Sequence, residues 1–316
     1  MVESTNLSQP YASVLTAAST APILKRMVTA STHAAPPLIR SVQHGGIALS
    51  VAEFGNGGSP SVLFAHGFGQ TRHAWTGAAA ALAARGMHAV TFDARGHGES
   101  GRPAGGEYHM EQFVADLGAL AGELQSRDGR PPVLVGASMG GLLGLMLAGT
   151  AATPPFRALV LVDITPRWET RGVERILGFM RAHPNGFSSY DAAADAIGAY
   201  MPQRERKSEA SLRPLLRQGD DGRLRWHWDP ALLETVSHET ERYQPQLFEA
   251  ARRIKVPMLL LSGGRSDIVS RDTVKEFMGL VPHATHVDLP DATHMVAGDA
   301  NDAFTDEVAK FIHQLN

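Results

Sequence analysis

The residues Gly136-Ala137-Ser138-Met139-Gly140 set a hydroxyl among small neighbours in the pattern G-x-S-x-G. An apolar run, Val133-Leu134-Val135, precedes them and a Leu-rich segment follows, so Ser138 falls on a strand-to-helix turn. Such a turn strains the backbone of its central residue, and the flanking glycines relieve crowding. It lifts the hydroxyl clear of a sheet and sets the following N–H groups and a helix N-terminus under a developing oxyanion. The chemistry is that of an activated serine nucleophile.

A serine needs a base, and the base needs an orienting carboxylate. Fourteen histidines compete for the first role. His294 is the expected base, because it follows the strand pattern over 286–290 on a loop before the last helix. His66 reads as a residue that holds its own loop by hydrogen bonds. His97 lies in a Gly-bracketed turn. His283 and His286 point to opposite faces of a strand, which argues against a metal site. The carboxylate belongs at the end of an earlier strand. Asp267, in Ser262-Gly263-Gly264-Arg265-Ser266-Asp267, follows VPMLLLSG and is the expected partner of His294. Asp163, which ends ALVLVD, is the rival and is expected beside the hinge of an insertion. A second oxyanion donor is expected from His66-Gly67-Phe68-Gly69, with the N–H of Phe68 acting beside that of Met139.

These residues need a scaffold, and the hydrophobic pattern supplies one. Two short apolar runs around His44-Gly45-Gly46 predict a β-hairpin. Strands then alternate with helices: SVLFAHG, WTGAAAALAARG, MHAVTFDARG, a helix over 107–127, PPVLVGAS, the Leu-rich helix and ALVLVDI. In the helix over 107–127, Met110, Phe113, Val114, Leu117, Leu120 and Leu124 share one face. The alternation stops near Thr165 and resumes at VPMLLLSG. It predicts an α/β architecture, a mostly parallel sheet with helices on both faces. The interruption, 165–250, holds three of the four tryptophans and reads as an inserted helical lid over the carboxyl edge of the sheet. Residues 39–164 and 251–316 are the expected core, and 1–38 an N-terminal arm.

Composition narrows the function. The 316 residues are 43% hydrophobic and 19% charged, with 29 Lys and Arg against 32 Asp and Glu. A net charge of −3 makes no electrostatic case for nucleic acid. The absence of cysteine excludes disulfides, thiolate metal sites and a cysteine nucleophile. Residues 131–156 carry no charge and are long enough to span a bilayer, but prolines bound them and the Gly-Ala-Ser-Met-Gly-Gly turn breaks them. A strand, a turn and a buried helix fit better than a membrane span. Glu3 precedes any basic residue, unlike a secretory signal. The expectation is a cytoplasmic protein with a small-molecule substrate.

Taken together, these pieces resemble the α/β-hydrolase fold superfamily, in its lid-bearing serine-esterase branch. The resemblance rests on His66-Gly67, on Asp93-Ala94-Arg95-Gly96-His97-Gly98-Glu99-Ser100, on the turn at Ser138, and on Asp267 and His294. It covers roughly residues 40–316. It implies an eight-stranded sheet and a triad of Ser138, Asp267 and His294, with no cofactor or metal. Asp93 to Ser100 would form a structural turn. Relatives often carry Gly before the histidine, where this chain has Thr293. A serine at 138 excludes the carboxylate-nucleophile chemistry of dehalogenase-type members and suits cleavage of a carboxylic ester or lactone. Trp168 and Trp228 are the expected substrate contacts. Alternatives within the fold are C–C bond hydrolysis, hydroxynitrile lysis, cofactor-free perhydrolysis, or ligand binding without catalysis.

Overall fold

A computed structural model describes residues 36–56, 61–202, 204–299 and 301–315, and for 235–241 the backbone alone. The expected arm falls almost wholly outside the described residues. Its last residue, Leu38, instead opens the first strand.

The chain runs β1 (Leu38–His44), β2 (Ile47–Phe54), β3 (Ser61–Ala65), α1 (Thr76–Ala84), β4 (His88–Phe92), α2 (Met110–Asp128), β5 (Val133–Ala137), α3 (Met139–Thr150) and β6 (Ala158–Val162). An insertion follows, with α4 (Thr170–Arg181), α5 (Tyr190–Tyr200), α6 (Glu209–Leu212), β7 (Leu216–Gln218), β8 (Leu224–Trp226) and α7 (Ala231–Arg253). The core then closes with β9 (Met258–Gly263), α8 (Arg271–Leu280), β10 (Thr285–Leu289), α9 (Val296–Asp299) and α10 (Asn301–His313).

Eight strands pair in the order β1-β2-β4-β3-β5-β6-β9-β10. The hairpin strand β2 is antiparallel to its neighbours, and the pairs from β4 to β10 are parallel. The central strands are buried on both faces, and alternation assigns their side chains. Leu63, Leu134, Leu159 and Leu161 face α2, α3, α7 and α8, while Val62, Phe64, Val133, Val135 and Val160 face α1 and α10. The charge-free stretch expected to mimic a membrane span is β5 followed by α3. Among the described residues no helix is long and apolar enough to cross a membrane.

The insertion is less uniformly helical than its composition suggests. The antiparallel pair β7 and β8 lies inside it, and Phe187, Ile197, Leu212, Leu216 and Leu224 give it a small apolar core of its own. The boundary at 250 falls within α7. That helix packs on α3 so closely that a Cβ on Gly149 would lie 2.3 Å from Ala250 Cα.

Two turns at the carboxyl edge of the sheet are fixed by buried polar groups. After β4, the Asp93 carboxylate accepts from the Arg72 N–H at 2.7 Å, from the Arg72 guanidinium and from the Glu99 N–H at 3.0 Å. Gly98 sits at φ +53°, and a Cβ there would fall 2.2 Å from that carboxylate. Arg95 binds Asp116 through two hydrogen bonds of 2.7 Å. The D-x-R-G-x-G-x-S stretch is therefore a structural turn. After β3, three imidazoles hold the next loop. His66 Nε2 accepts from the Ala94 N–H at 2.9 Å, and its Nδ1–H donates to the Gly67 carbonyl at 2.8 Å. His97 Nε2 accepts from the Gly69 N–H at 3.2 Å. From the insertion, His227 Nδ1 accepts from the Gly98 N–H at 2.7 Å and its Nε2–H donates to the Gly69 carbonyl at 3.3 Å.

Each of these rings uses one nitrogen as an acceptor and so is neutral. Burial pushes all three below the ordinary histidine range, His227 to about 3. As pH falls through about 6.5, the unfolded chain binds protons on these rings and the folded chain does not. Stability then falls with falling pH, by up to about 1.4 kcal/mol per pH unit for each ring. Urea unfolding between pH 7 and pH 5 should show this decline. His227→Gln, which keeps a donor and an acceptor, should reduce the slope by about one proton. An unchanged slope in that variant would refute the neutral-ring account.

Candidate active site

The turn at Ser138 explains its own glycines. Ser138 has φ +46° and ψ −117°. A Cβ on Gly136 would lie 2.6 Å from the Gly140 carbonyl oxygen, and one on Gly140 would lie 2.3 Å from the Ala65 carbonyl oxygen. Backbone thus packs directly on backbone where α3 leaves β5 beside the end of β3. The loop after β3 lies against the same turn, since a Cβ on Gly67 would meet Ser138 Cβ at 3.3 Å. Phe68 and Met139 line one cavity together with Ser138. This is also the point where strand order reverses between β3 and β5, the usual place for a ligand crevice in an open α/β sheet.

His294 occupies the loop after β10, and its Nδ1–H donates to Asp163 Oδ2 at 2.6 Å. The expected pairing with Asp267 is not the one formed. Asp163 has no exposed surface. It also accepts from the Gly263 N–H at 2.8 Å and from the Ser266 hydroxyl. Strand register accounts for its position: Ala137 pairs with Val162, so Ser138 and Asp163 each stand one residue past adjacent parallel strand ends. Asp163 has φ +50°, and among the described residues it and Ser138 are the two non-glycine residues with positive φ. Asp267 lies beyond the turn closed by the Ser266 N–H on the Gly263 carbonyl at 2.9 Å. Its carboxylate, 37% exposed, is taken by Arg175 of α4 at 2.6 and 2.8 Å.

The loop that carries His294 is anchored on both sides. Gly263 and Gly264 let it lie against the end of β9, where a Cβ on Gly263 would be 2.5 Å from the Thr293 carbonyl oxygen. The Thr293 N–H donates to Asp299 Oδ2 at 2.9 Å, as does its hydroxyl, which also accepts from the Met295 N–H at 3.2 Å. The other oxygen of Asp299 takes the guanidinium of Arg204 from the insertion. The hydroxyl of Thr293, in the place where glycine is frequent, thus has a structural use. Sequence reasoning missed Ser266, Asp299 and Arg204, because none belongs to a local motif.

Two chambers meet at Ser138. One, of about 140 Å³, is almost wholly apolar and is lined by Trp168, Ile176, Leu177 and Leu232 of the insertion with Leu142 and Ile268. Its two phenols are engaged elsewhere, Tyr108 with Asp229 and Tyr243 with Glu111, at 2.8 Å each. The other, of about 280 Å³, contains His294, Gln70, Arg175, Asp267 and Trp228. Trp168 and Trp228 are mostly packed, at 8% and 4% exposure, and each turns an edge to one chamber.

Known proteins can now be set beside this geometry. The alpha/beta hydrolase family model matches residues 62–307. A 3-hydroxybutyrate-oligomer hydrolase of Cupriavidus necator is 30% identical over 261 residues, 78% of this chain and 86% of its own length. An esterase of Mycobacterium tuberculosis is 28% identical over 83% of this chain and 85% of its own. Among solved structures, a thioesterase domain from the curacin biosynthetic pathway has a TM-score of 0.71 at 25% identity, covering 86% of this chain and 99% of that domain. The hydrolases, esterases and lipases among these relatives support ester hydrolysis in general terms. The chain belongs to the alpha/beta hydrolase family.

Proposed function

We propose that the protein is a serine hydrolase of carboxylic esters with Ser138 as nucleophile, His294 as general base and Asp163 as the orienting acid. The observation that carries this reading is the buried Asp163 carboxylate on His294 Nδ1 beside the strained Ser138 turn. That hydrogen bond keeps the proton on Nδ1 and leaves Nε2 free to accept. His294 takes the Ser138 proton as Oγ forms a bond to the substrate carbonyl carbon. The N–H groups of Phe68 and Met139 receive the oxyanion. Collapse breaks the bond to the leaving alcohol, which takes the proton back from His294. Water deprotonated by His294 then cleaves the acyl-enzyme and restores Ser138. The imidazolium formed at each step sits against the Asp163 charge.

The apolar chamber suits the acyl group, since it excludes His294 and offers no free polar group of its own. A volume of about 140 Å³ is close to that of an engineered cavity that holds one benzene. The reading is therefore a short or medium acyl chain, or an aryl group, with the insertion acting as the lid that forms the pocket.

Ser138→Ala should fold normally and lose about 10⁴–10⁶ in turnover on nitrophenyl esters. A fluorophosphonate should add once to the parent, and mass mapping should place it on Ser138. Asp163→Asn should lose about 10⁴-fold, because Asn favours the wrong tautomer and supplies no charge. Asp267→Asn should lose less than about tenfold. The reverse ranking of the two Asn variants would return the acid to the loop after β9.

Acyl preference tests the chamber separately. Rates on nitrophenyl esters should peak near four to six carbons, and Trp168→Ala should move the optimum to longer chains. Each methylene should shift discrimination by about 1–3 kcal/mol at most. An equal loss on every ester would make Trp168 a packing residue only.

A further inference from the structure

The chamber that holds His294 continues into a larger groove of about 530 Å³. The two share Gln70, Ala137, Met201, Trp226, His294 and Met295, so they form one path away from Ser138. His294 must stand on the leaving-group side, because it returns the proton to the departing oxygen. The path, which contains His294 where the apolar chamber does not, therefore runs where the alcohol half of an ester would lie.

Cations line this path, and all but one are neutralised. Arg175 is held by Asp267 at 2.6 Å, Arg265 by Asp291 at 2.7 Å and Arg204 by Asp299. Asp299 is engaged at its second oxygen too, by the N–H and hydroxyl of Thr293. Lys207, in the segment between α5 and α6, lines the groove with Arg204 and His73. Among the described residues its ammonium has no hydrogen bond or ion pair, and Glu205 lines not the groove but an adjoining pocket that Lys207 also borders. Lys207 is half-buried, and burial together with Arg204 lowers its pKa despite the opposing pull of Asp299. A half-buried ammonium without an anion, on the leaving-group path, is a place where an anion gains more than at an exposed lysine.

We propose that Lys207 binds a free carboxylate on the alcohol half of the substrate, so that the esters cleaved are esters of hydroxy acids. This rests on the serine-hydrolase reading above and adds the chemistry of the leaving group to it. The apolar acyl group sits in the closed chamber, the ester carbon at Ser138, and the carboxylate end of the hydroxy acid at Lys207. After cleavage the product alcohol leaves as a hydroxy-acid anion along the same groove.

The experiment compares butanoyl esters of a short series of ω-hydroxy acids with the same esters carrying a primary amide in place of the carboxylic acid. In the parent enzyme, at one chain length or more, kcat/KM for the acid should exceed that for the amide by about tenfold or more, chiefly through KM. Lys207→Met should bring the ratio to about one, Lys207→Glu should invert it, and Lys207→Arg should retain it. Equal rates on acid and amide at every length in the parent, or a ratio that survives in Lys207→Met, would overturn the proposal. Hydrolysis of nitrophenyl butanoate and covalent labelling of Ser138 report on the chemistry independently. If these succeed while the acid and amide are equal, only the leaving-group assignment falls. If no ester is cleaved and Ser138 is not labelled, both readings fall.

Discussion

A carboxylate without access to water, Asp163, is the constraint around which this edge of the sheet is arranged. An isolated buried charge costs several kcal/mol, so its oxygens must all find donors. They find the backbone of Gly263, the hydroxyl of Ser266 and the imidazole of His294. Those donors come from the end of β9, the turn after it and the loop after β10. One side chain at the end of β6 thereby fixes three neighbouring segments, and the ring of His294 has little freedom left. The same carboxylate would stabilise an imidazolium, so the interaction that organises the fold locally is also the one that favours proton transfer.

Backbone strain appears at two points that stand side by side. Positive φ at a non-glycine residue costs about 1–3 kcal/mol and persists only where the surroundings enforce it. At Ser138 the enforcing contacts are backbone on backbone at Gly136 and Gly140, with Gly67 close against the Ser138 side chain. At Asp163 they are the fully buried strands β6 and β9, with the Asp163 N–H still donating to the Leu261 carbonyl at 2.7 Å. Each conformation turns a side chain of the proposed triad up from the end of a strand that otherwise points its residues into the two apolar layers. A sheet of small and branched residues buried on both faces is stiff enough to hold both.

Much of this could be read from residues alone. The strand–helix alternation, the turn at Ser138, the loop at Phe68 and the position of His294 all follow from local pattern, because each is written in contiguous residues. The partner of His294 is not local. Asp163 and Asp267 both follow apolar strands, and choosing between them needs the order in which β5, β6 and β9 lie. The one signal available was proximity to the strand end: Asp163 follows Val162 directly, as Ser138 follows Ala137, whereas Asp267 lies four residues past Gly263. The salt bridge that occupies Asp267 is equally distant, since Arg175 is 92 positions away in α4. Likewise β7 and β8 are three residues each, too short for alternation to announce them.

The insertion and the loops that carry Phe68 and His294 are not independent parts. His227 closes the hydrogen-bond set that holds Gly69 and Gly98, while Arg204 binds the carboxylate that fixes Thr293 beside His294. The second contact passes close over Gly298, where a Cβ would lie 2.9 Å from the Arg204 guanidinium. The segment that shapes both chambers is thus tied to the loop that follows β3 and to the loop that carries His294. A displacement of the insertion large enough to admit a bulky substrate must stretch one tie or the other. Under the proposed mechanism, substrate size and the geometry of proton transfer are therefore coupled through Arg204 and His227, so a poorly fitting substrate would lose rate at the chemical step as well as affinity.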